Sequence, residues 1–296
     1  MSDHPTTTRT TSTLEVPGAV LTYDVREPEH ASDPTPLLMI GSPMGAEGFT
    51  TLAGHFADRR VVTYDPRGVE RSVLVGDPEP ATPATHADDL HRLVGHLGGP
   101  VDVFASSGGA ANALAWVAAH PGDVRTLVAH EAPIPSVLPD ADVMVAAMVR
   151  NAEVYDERGW GAAMAYFVAL VSQVGPLSAD WLEQEPPDPA AFGFPADDDG
   201  SRDDPLFSVN MRTLPTFPFD LEAVAAAPTR VVVGVGEEST GQMTARSAEA
   251  VAARLGLVPV VFPSGHGGFL GGEYGGETGK PVEFAAVLRE VLAGAG

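Results

Sequence analysis

Apolar residues along this chain fall into two patterns. Pro36–Ile40 and Val61–Tyr64 are short apolar runs, and Val101–Phe104, Val124–His130, Arg230–Val235 and Val258–Phe262 read as further strands. Runs of that length predict strands buried on both faces. Elsewhere the spacing shifts to the helical period. Thr82–Leu97 sets Leu90, Leu93, Val94 and Leu97 on one face, and Thr244–Leu255 and Val282–Leu292 also read as helices. Leu14–Val25 alternates and predicts a first strand or hairpin. Strands alternating with helices predict an α/β fold, with a mostly parallel central sheet flanked by helices.

The pattern breaks between Pro133 and Pro228. Ala141–Tyr155, Gly161–Val174 and Ala179–Gln184 read as helices, and proline-rich loops with phenylalanines follow. Residues 135–228 are therefore expected to form a helical cap over a core made of 14–134 and 229–296. Met1–Thr13 is polar and threonine-rich and is expected to be a flexible tail. Asp197-Asp198-Asp199-Gly200 with Asp203 and Asp204 lacks the alternating ligand spacing of a calcium loop, so a solvated acidic loop is the reading.

Composition narrows the chemistry. The formal net charge is −23, and Lys280 is the only lysine. That surface repels nucleic acid and anionic membranes. With no cysteine there is no disulfide, thiolate metal site or thiol nucleophile. No apolar run is long enough to span a bilayer, and no secretory signal pattern is present, so a cytoplasmic location is expected. Charge leaves monomer and homo-oligomer equally open.

One segment carries the chemistry. Val101–Phe104 runs into Ala105-Ser106-Ser107-Gly108-Gly109, and a helix-forming stretch follows at once. This is the strand–turn–helix setting of a nucleophile elbow. The turn is tight enough to require small residues two before and two after the nucleophile. Ala105 and Gly109 meet that rule for Ser107, whereas Phe104 breaks it for Ser106. A serine hydroxyl needs a base. His266, in Pro263-Ser264-Gly265-His266-Gly267-Gly268-Phe269, follows the last strand and so shares the elbow's sheet edge. Two strand ends offer an acid to orient its ring: Glu131, before Pro133, and the pair Glu237/Glu238. The developing oxyanion needs backbone donors. Gly108 supplies one. Ser42 in Gly41-Ser42-Pro43-Met44-Gly45 is the second, with Met44 as fallback because Pro43 has no N–H.

These motifs resemble the α/β-hydrolase superfamily across about residues 14–296. The match rests on the Gly-Ser-Pro-Met-Gly loop, Tyr64-Asp65-Pro66-Arg67-Gly68 with Ser72, the elbow, the helical insertion and Ser-Gly-His-Gly-Gly-Phe. In that family the Asp-Pro-Arg-Gly turn is structural, so the resemblance gives Asp65 and Arg67 no catalytic part. Most members carry an Asp after the strand matching Arg230–Val235, where Ser239 stands here. That departure supports Glu131. An acid so placed is similar to the arrangement in lactonases that open zearalenone. The resemblance implies a serine hydrolase of esters or lactones, with a bulky lactone such as zearalenone as substrate and no metal or organic cofactor. Met44 and the cap residues Trp160, Tyr166, Trp181 and Phe217 are expected to wall its pocket. Perhydrolase chemistry, carbon–carbon bond hydrolysis and a non-catalytic receptor are the competing readings.

Overall fold

The computed structural model describes residues 7–294 except 277. Nine strands form one sheet: β1 (Thr7–Val16), β2 (Ala19–Pro28), β3 (Leu37–Ile40), β4 (Val61–Tyr64), β5 (Val73–Leu74), β6 (Val101–Ser106), β7 (Val124–His130), β8 (Arg230–Gly236) and β9 (Val260–Phe262). Their order across the sheet is β1-β2-β4-β3-β6-β7-β8-β9, with β5 paired to β2. From β4 through β9 the neighbours run parallel, and the β1–β2 hairpin joins antiparallel at one edge.

The helices are α1 (Thr50–Gly54), α2 (Pro83–Leu97), α3 (Gly108–Ala119), α4 (Ala141–Val171), α5 (Met211–Thr213), α6 (Leu221–Ala226), α7 (Met243–Leu255) and α8 (Pro281–Leu292). The central strands are largely apolar because both faces are covered, with Thr63, Asp102, Ser106, Thr126 and His130 as buried polar exceptions. Leu38, Ile40, Val103, Ala105, Leu127 and Ala129 pack under α2, α3 and the cap. The alternate positions Leu37, Met39, Phe104 and Val128 pack with Leu52 of α1 and Phe284 of α8. Helix α2 starts where Thr82 and Thr85 cap each other reciprocally.

Two boundaries differ from expectation. Thr7–Thr13 is not tail: it pairs with Thr22–Pro28 as most of β1. Threonine favours strands even on an exposed edge, where no apolar pattern marks it. The rest of the expected tail lies outside the described residues. In the cap, the two expected long helices are joined through Gly159, whose φ of 80° breaks the helical path. The second ends at Val171, and Ala179–Glu183 is a 3₁₀ turn. Among the described residues no helix is long and apolar enough to cross a membrane.

Candidate active site

Ser107 sits between β6 and α3 with φ 57° and ψ −132°. Such a backbone is strained for a residue with a side chain, by about 1–3 kcal/mol. It holds only because the neighbours have no bulk. A Cβ on Gly109 would lie 2.6 Å from the Ile40 carbonyl oxygen, and one on Gly108 would lie 2.5 Å from that of Ser42. The same crowding draws the Ser42 loop against the first turn of α3. That brings Ser42 and Gly108 together at a helix N-terminus, where developing negative charge is favoured.

Glu131 lies at the end of β7, also with positive φ (49°), and is fully buried. Its Oε1 accepts from the Gly236 N–H at 2.8 Å, and its Oε2 accepts from the Thr244 hydroxyl at 3.1 Å. Oε2 also stands 2.5 Å from His266 Nδ1. Burial pushes the carboxyl pKa up, but the hydrogen bond and charge of His266, with help from His130 and the Gly236 amide, outweigh it and hold Glu131 at about 2. The acid is thus ionised and fixed against one nitrogen of the ring. With Nδ1 engaged, Nε2 is the ring nitrogen left for a second partner. Ser107, Gly108, Ser42 and His266 border one cavity of ≈ 310 Å³.

The other acids sit differently. Glu237 and Glu238 are exposed at the end of β8. Glu238 pairs with Lys280 at 2.9 Å and accepts from the Ser264 hydroxyl at 3.1 Å. The carboxylate that His266 meets is that of Glu131. Ser239 is buried, and its hydroxyl has no hydrogen-bond partner. Asp65 accepts from the Ala46 N–H and from Arg71, and Arg67 grips Asp89 with two nitrogens, so these side chains tie the core together.

The expected pocket wall needs correction. Met44 lies over Gly48, within the apolar cluster beneath α1, and does not border the cavity. Trp160 donates to Asp204 at 2.9 Å, and Trp181 donates to the Tyr166 hydroxyl at 3.1 Å. Phe217 packs edge-on to Phe219. None of these aromatics borders the cavity, because each spends its surface on the cap's own packing. Met148, Phe167 and Val171 of α4, with Leu206, Met211 and Met243, form the wall instead. Sequence reading also missed Thr244 and Asn210. Asn210 is a buried cap residue that donates to the Ser42 hydroxyl at 3.1 Å. An amide residue set between two apolar ones, Val209-Asn210-Met211, was the available signal.

His130 lies behind the site, fully buried among Phe104, Phe262 and Phe284. Its Nδ1 is 3.3 Å from the Ser106 hydroxyl, and its Nε2 has no partner. Burial depresses its pKa to about 4, so the ring is neutral at pH 7.

The sequence profile described as the Alpha/beta hydrolase family matches residues 37–285. A curated relative, the uncharacterized hydrolase YraK of Bacillus subtilis, is 41% identical over 121 residues, 40% of this chain. That match spans only 43% of the relative's length. Among solved structures, the thermophilic esterase of Thermogutta terrifontis superposes with a TM-score of 0.63 at 19% identity, covering 97% of this chain and 99% of that one. A carboxylesterase structure from Nitrososphaera gargenis gives 0.65 at 19% identity, covering 96% and 98%. At such identity these structures speak to the fold.

Proposed function

We propose, from the premise that this chain belongs to the alpha/beta hydrolase family, that it hydrolyses a carboxylic ester or lactone through Ser107, His266 and Glu131. The observation that carries this reading is the Glu131–His266 contact of 2.5 Å on a ring that shares its cavity with Ser107.

Ser107 Oγ attacks the carbonyl carbon while His266 Nε2 takes its proton. Glu131 holds the ring in the tautomer with hydrogen on Nδ1 and stabilises the cation that forms. The oxyanion lies on the Ser42 and Gly108 amides; losing one such donor costs about 3 kcal/mol of transition-state stabilisation. His266 then gives its proton to the leaving alcohol, and an acyl-enzyme remains. Water attacks that ester as His266 takes its proton, the bond from the acyl carbon to Ser107 Oγ breaks, His266 returns the proton to Oγ, and the acid departs. In a lactone the alcohol stays tethered, so water must enter before the ring recloses.

The apolar wall favours a neutral, lipophilic substrate. At ≈ 310 Å³ the cavity is at the small end of ligand sites. A bulky lactone such as zearalenone would fill it, and marks the upper size proposed. Ser107→Ala is expected to lower turnover by roughly 10⁴–10⁶ and to abolish labelling by a fluorophosphonate probe. A folded variant that keeps most of its activity would remove Ser107 as nucleophile. Comparing p-nitrophenyl esters, simple lactones and zearalenone tests the substrate, and a preference for short open-chain esters would count against the macrolactone.

A further inference from the structure

The far end of the nucleophile helix gathers a second set of reactive side chains. Ser107 stands at the N-terminus of α3 and His120 at its C-terminus. The 12 helical residues between them rise about 18 Å. The chain then turns at once. Pro121 and Gly122 form the corner, and the Asp123 N–H donates back to the His120 carbonyl at 3.2 Å. Helix α2 packs alongside α3 and supplies His91, whose Nδ1 lies 2.7 Å from Asp123 Oδ2. The His91 and His120 rings stack with centroids 3.9 Å apart and planes 8° from parallel. His91, His120 and Asp123 each offer a donor atom, all within 4.8 Å of one another.

A hydrogen bond explains His91 against Asp123. It does not explain why His120 is stacked on the same ring. Two imidazoles so close oppose a shared positive charge, and burial, with the charge of His91, holds His120 below the ordinary imidazole range. A neutral imidazole keeps a lone pair on one nitrogen, the form that binds metal ions. Asp123 is oriented from behind, where the buried Trp116 donates its indole N–H to Oδ2 at 2.8 Å. Outer hydrogen bonds of that kind fix ligating carboxylates. The surroundings favour a cation. The last carbonyls of α3 carry partial negative charge. Arg92, next to His91, is paired with Asp88 at 2.9 Å, and the chain's net charge is −23. The side chain of His91 is 45% exposed and that of Asp123 18%, so an ion can enter from solvent and the His91 ring can tilt to meet it.

Two nitrogens and a carboxylate select the ion. Ca²⁺ and Mg²⁺ take oxygen ligands. Zn²⁺ takes imidazole and carboxylate at about 2.0–2.2 Å in a tetrahedron, which sets its donors about 3.3 Å apart. Drawing the three donors to that spacing needs shifts of roughly 1–2 Å, and water fills the fourth corner.

We propose that His91, His120 and Asp123 form a binding site for a zinc-class divalent ion, which clasps α2 to the turn between α3 and β7. The proposal is independent of the ester-hydrolase reading.

The test uses the full chain, treated with EDTA and desalted, and needs no turnover. ZnCl₂ and MgCl₂ are titrated calorimetrically at neutral pH into wild type, His91→Ala, His120→Ala and Asp123→Asn. His91 lies on a helix, where alanine is the best-tolerated residue. Wild type is expected to bind a single Zn²⁺ per chain and no Mg²⁺ at the same concentration. Each variant is expected to weaken Zn²⁺ binding about a hundredfold, the upper end of the cost of losing even an outer partner. Zn²⁺ should also raise the thermal unfolding midpoint of wild type and leave those of the variants where they are without metal.

Those losses in binding and in the midpoint rise support the clasp. Equal binding of Mg²⁺ would mark a diffuse acidic surface and overturn it. Zn²⁺ affinity unchanged in the variants would put the ion elsewhere, and a wild type without saturable Zn²⁺ binding would remove the site outright. Should His120→Ala fail to fold, His91→Ala and Asp123→Asn still decide.

Discussion

The ends of β7 and β8 lie side by side, and each carries carboxylates, yet the two are opposite environments. Glu131 is fully buried, bent into positive φ, and held by the Gly236 amide, the Thr244 hydroxyl and His266. Glu237 and Glu238 face solvent, and Glu238 answers to Lys280. The difference teaches what makes an acid fit to orient a histidine. Proximity to the right sheet edge is shared. Enclosure by donors, with a ring as the remaining partner, belongs to β7 alone. Solvent screens an exposed pair and loosens its geometry. A buried carboxylate with its lone pairs occupied has one place to be.

The sharpest way to break this comparison is Glu131→Gln, expected to lower kcat/KM by about 10³–10⁴, as loss of a triad acid does. Activity within tenfold of wild type would move the acid elsewhere. A second large effect is on stability. His130, beside Glu131, is buried neutral with its pKa lowered from 6.5 to about 4. The unfolded chain therefore binds more protons between those values, and stability is complete above pH 6.5 and falls as pH drops toward 4. The loss amounts to about 3 kcal/mol at most. His130→Phe, which suits the surrounding aromatic rings, should flatten that part of a denaturation-midpoint profile; an unchanged slope would place the acid sensitivity elsewhere. Glu131 adds a separate loss at lower pH, as pH falls from 4.5 through its pKa of about 2.

Moving the acid to β8 sharpens the contrast further. Ser239 is buried at that strand's end, with its hydroxyl 3.6 Å from where a Cβ on Gly265 would sit, next to His266. In a Glu131→Gln background, Ser239→Asp should restore about tenfold in kcat, against a loss of about 10³–10⁴. No recovery would show that the β8 end cannot reach Nδ1. Thr244→Val removes one donor to Glu131 and should cost about 1.5–3 kcal/mol in urea denaturation, with a few-fold drop in kcat. Glu238→Gln is the smallest change: midpoint and kcat/KM should both match wild type.

Much of the core was legible because burial on both faces writes itself as continuous apolar strands. β3, β4, β6, β7 and β8 follow the apolar runs closely. Ser107 was legible because the turn needs small residues two before and two after it, Ala105 and Gly109, and at Gly109 a side chain would meet the Ile40 carbonyl. The β1 half of the hairpin was not, since Thr7–Thr13 shows no apolar alternation on its exposed edge. The cavity wall was hidden for another reason. Aromatic size drew attention to Trp160, Trp181 and Phe217, while helical spacing could not tell which face of α4 looks inward. Met148, Phe167 and Val171 became visible only once α4 was laid over Ser107.

Lys280 also has a practical consequence. Its ammonium is the sole lysine side chain of the protein, and its backbone N–H donates to the Gly268 carbonyl in the segment that carries His266. Amine coupling to an activated bead can therefore reach one side chain, Lys280, alongside the chain's α-amino group, and the molecules held through Lys280 share one orientation. Protein held through Lys280 would present the His266 side toward the support, and bulky ligands would feel that placement before small ones did.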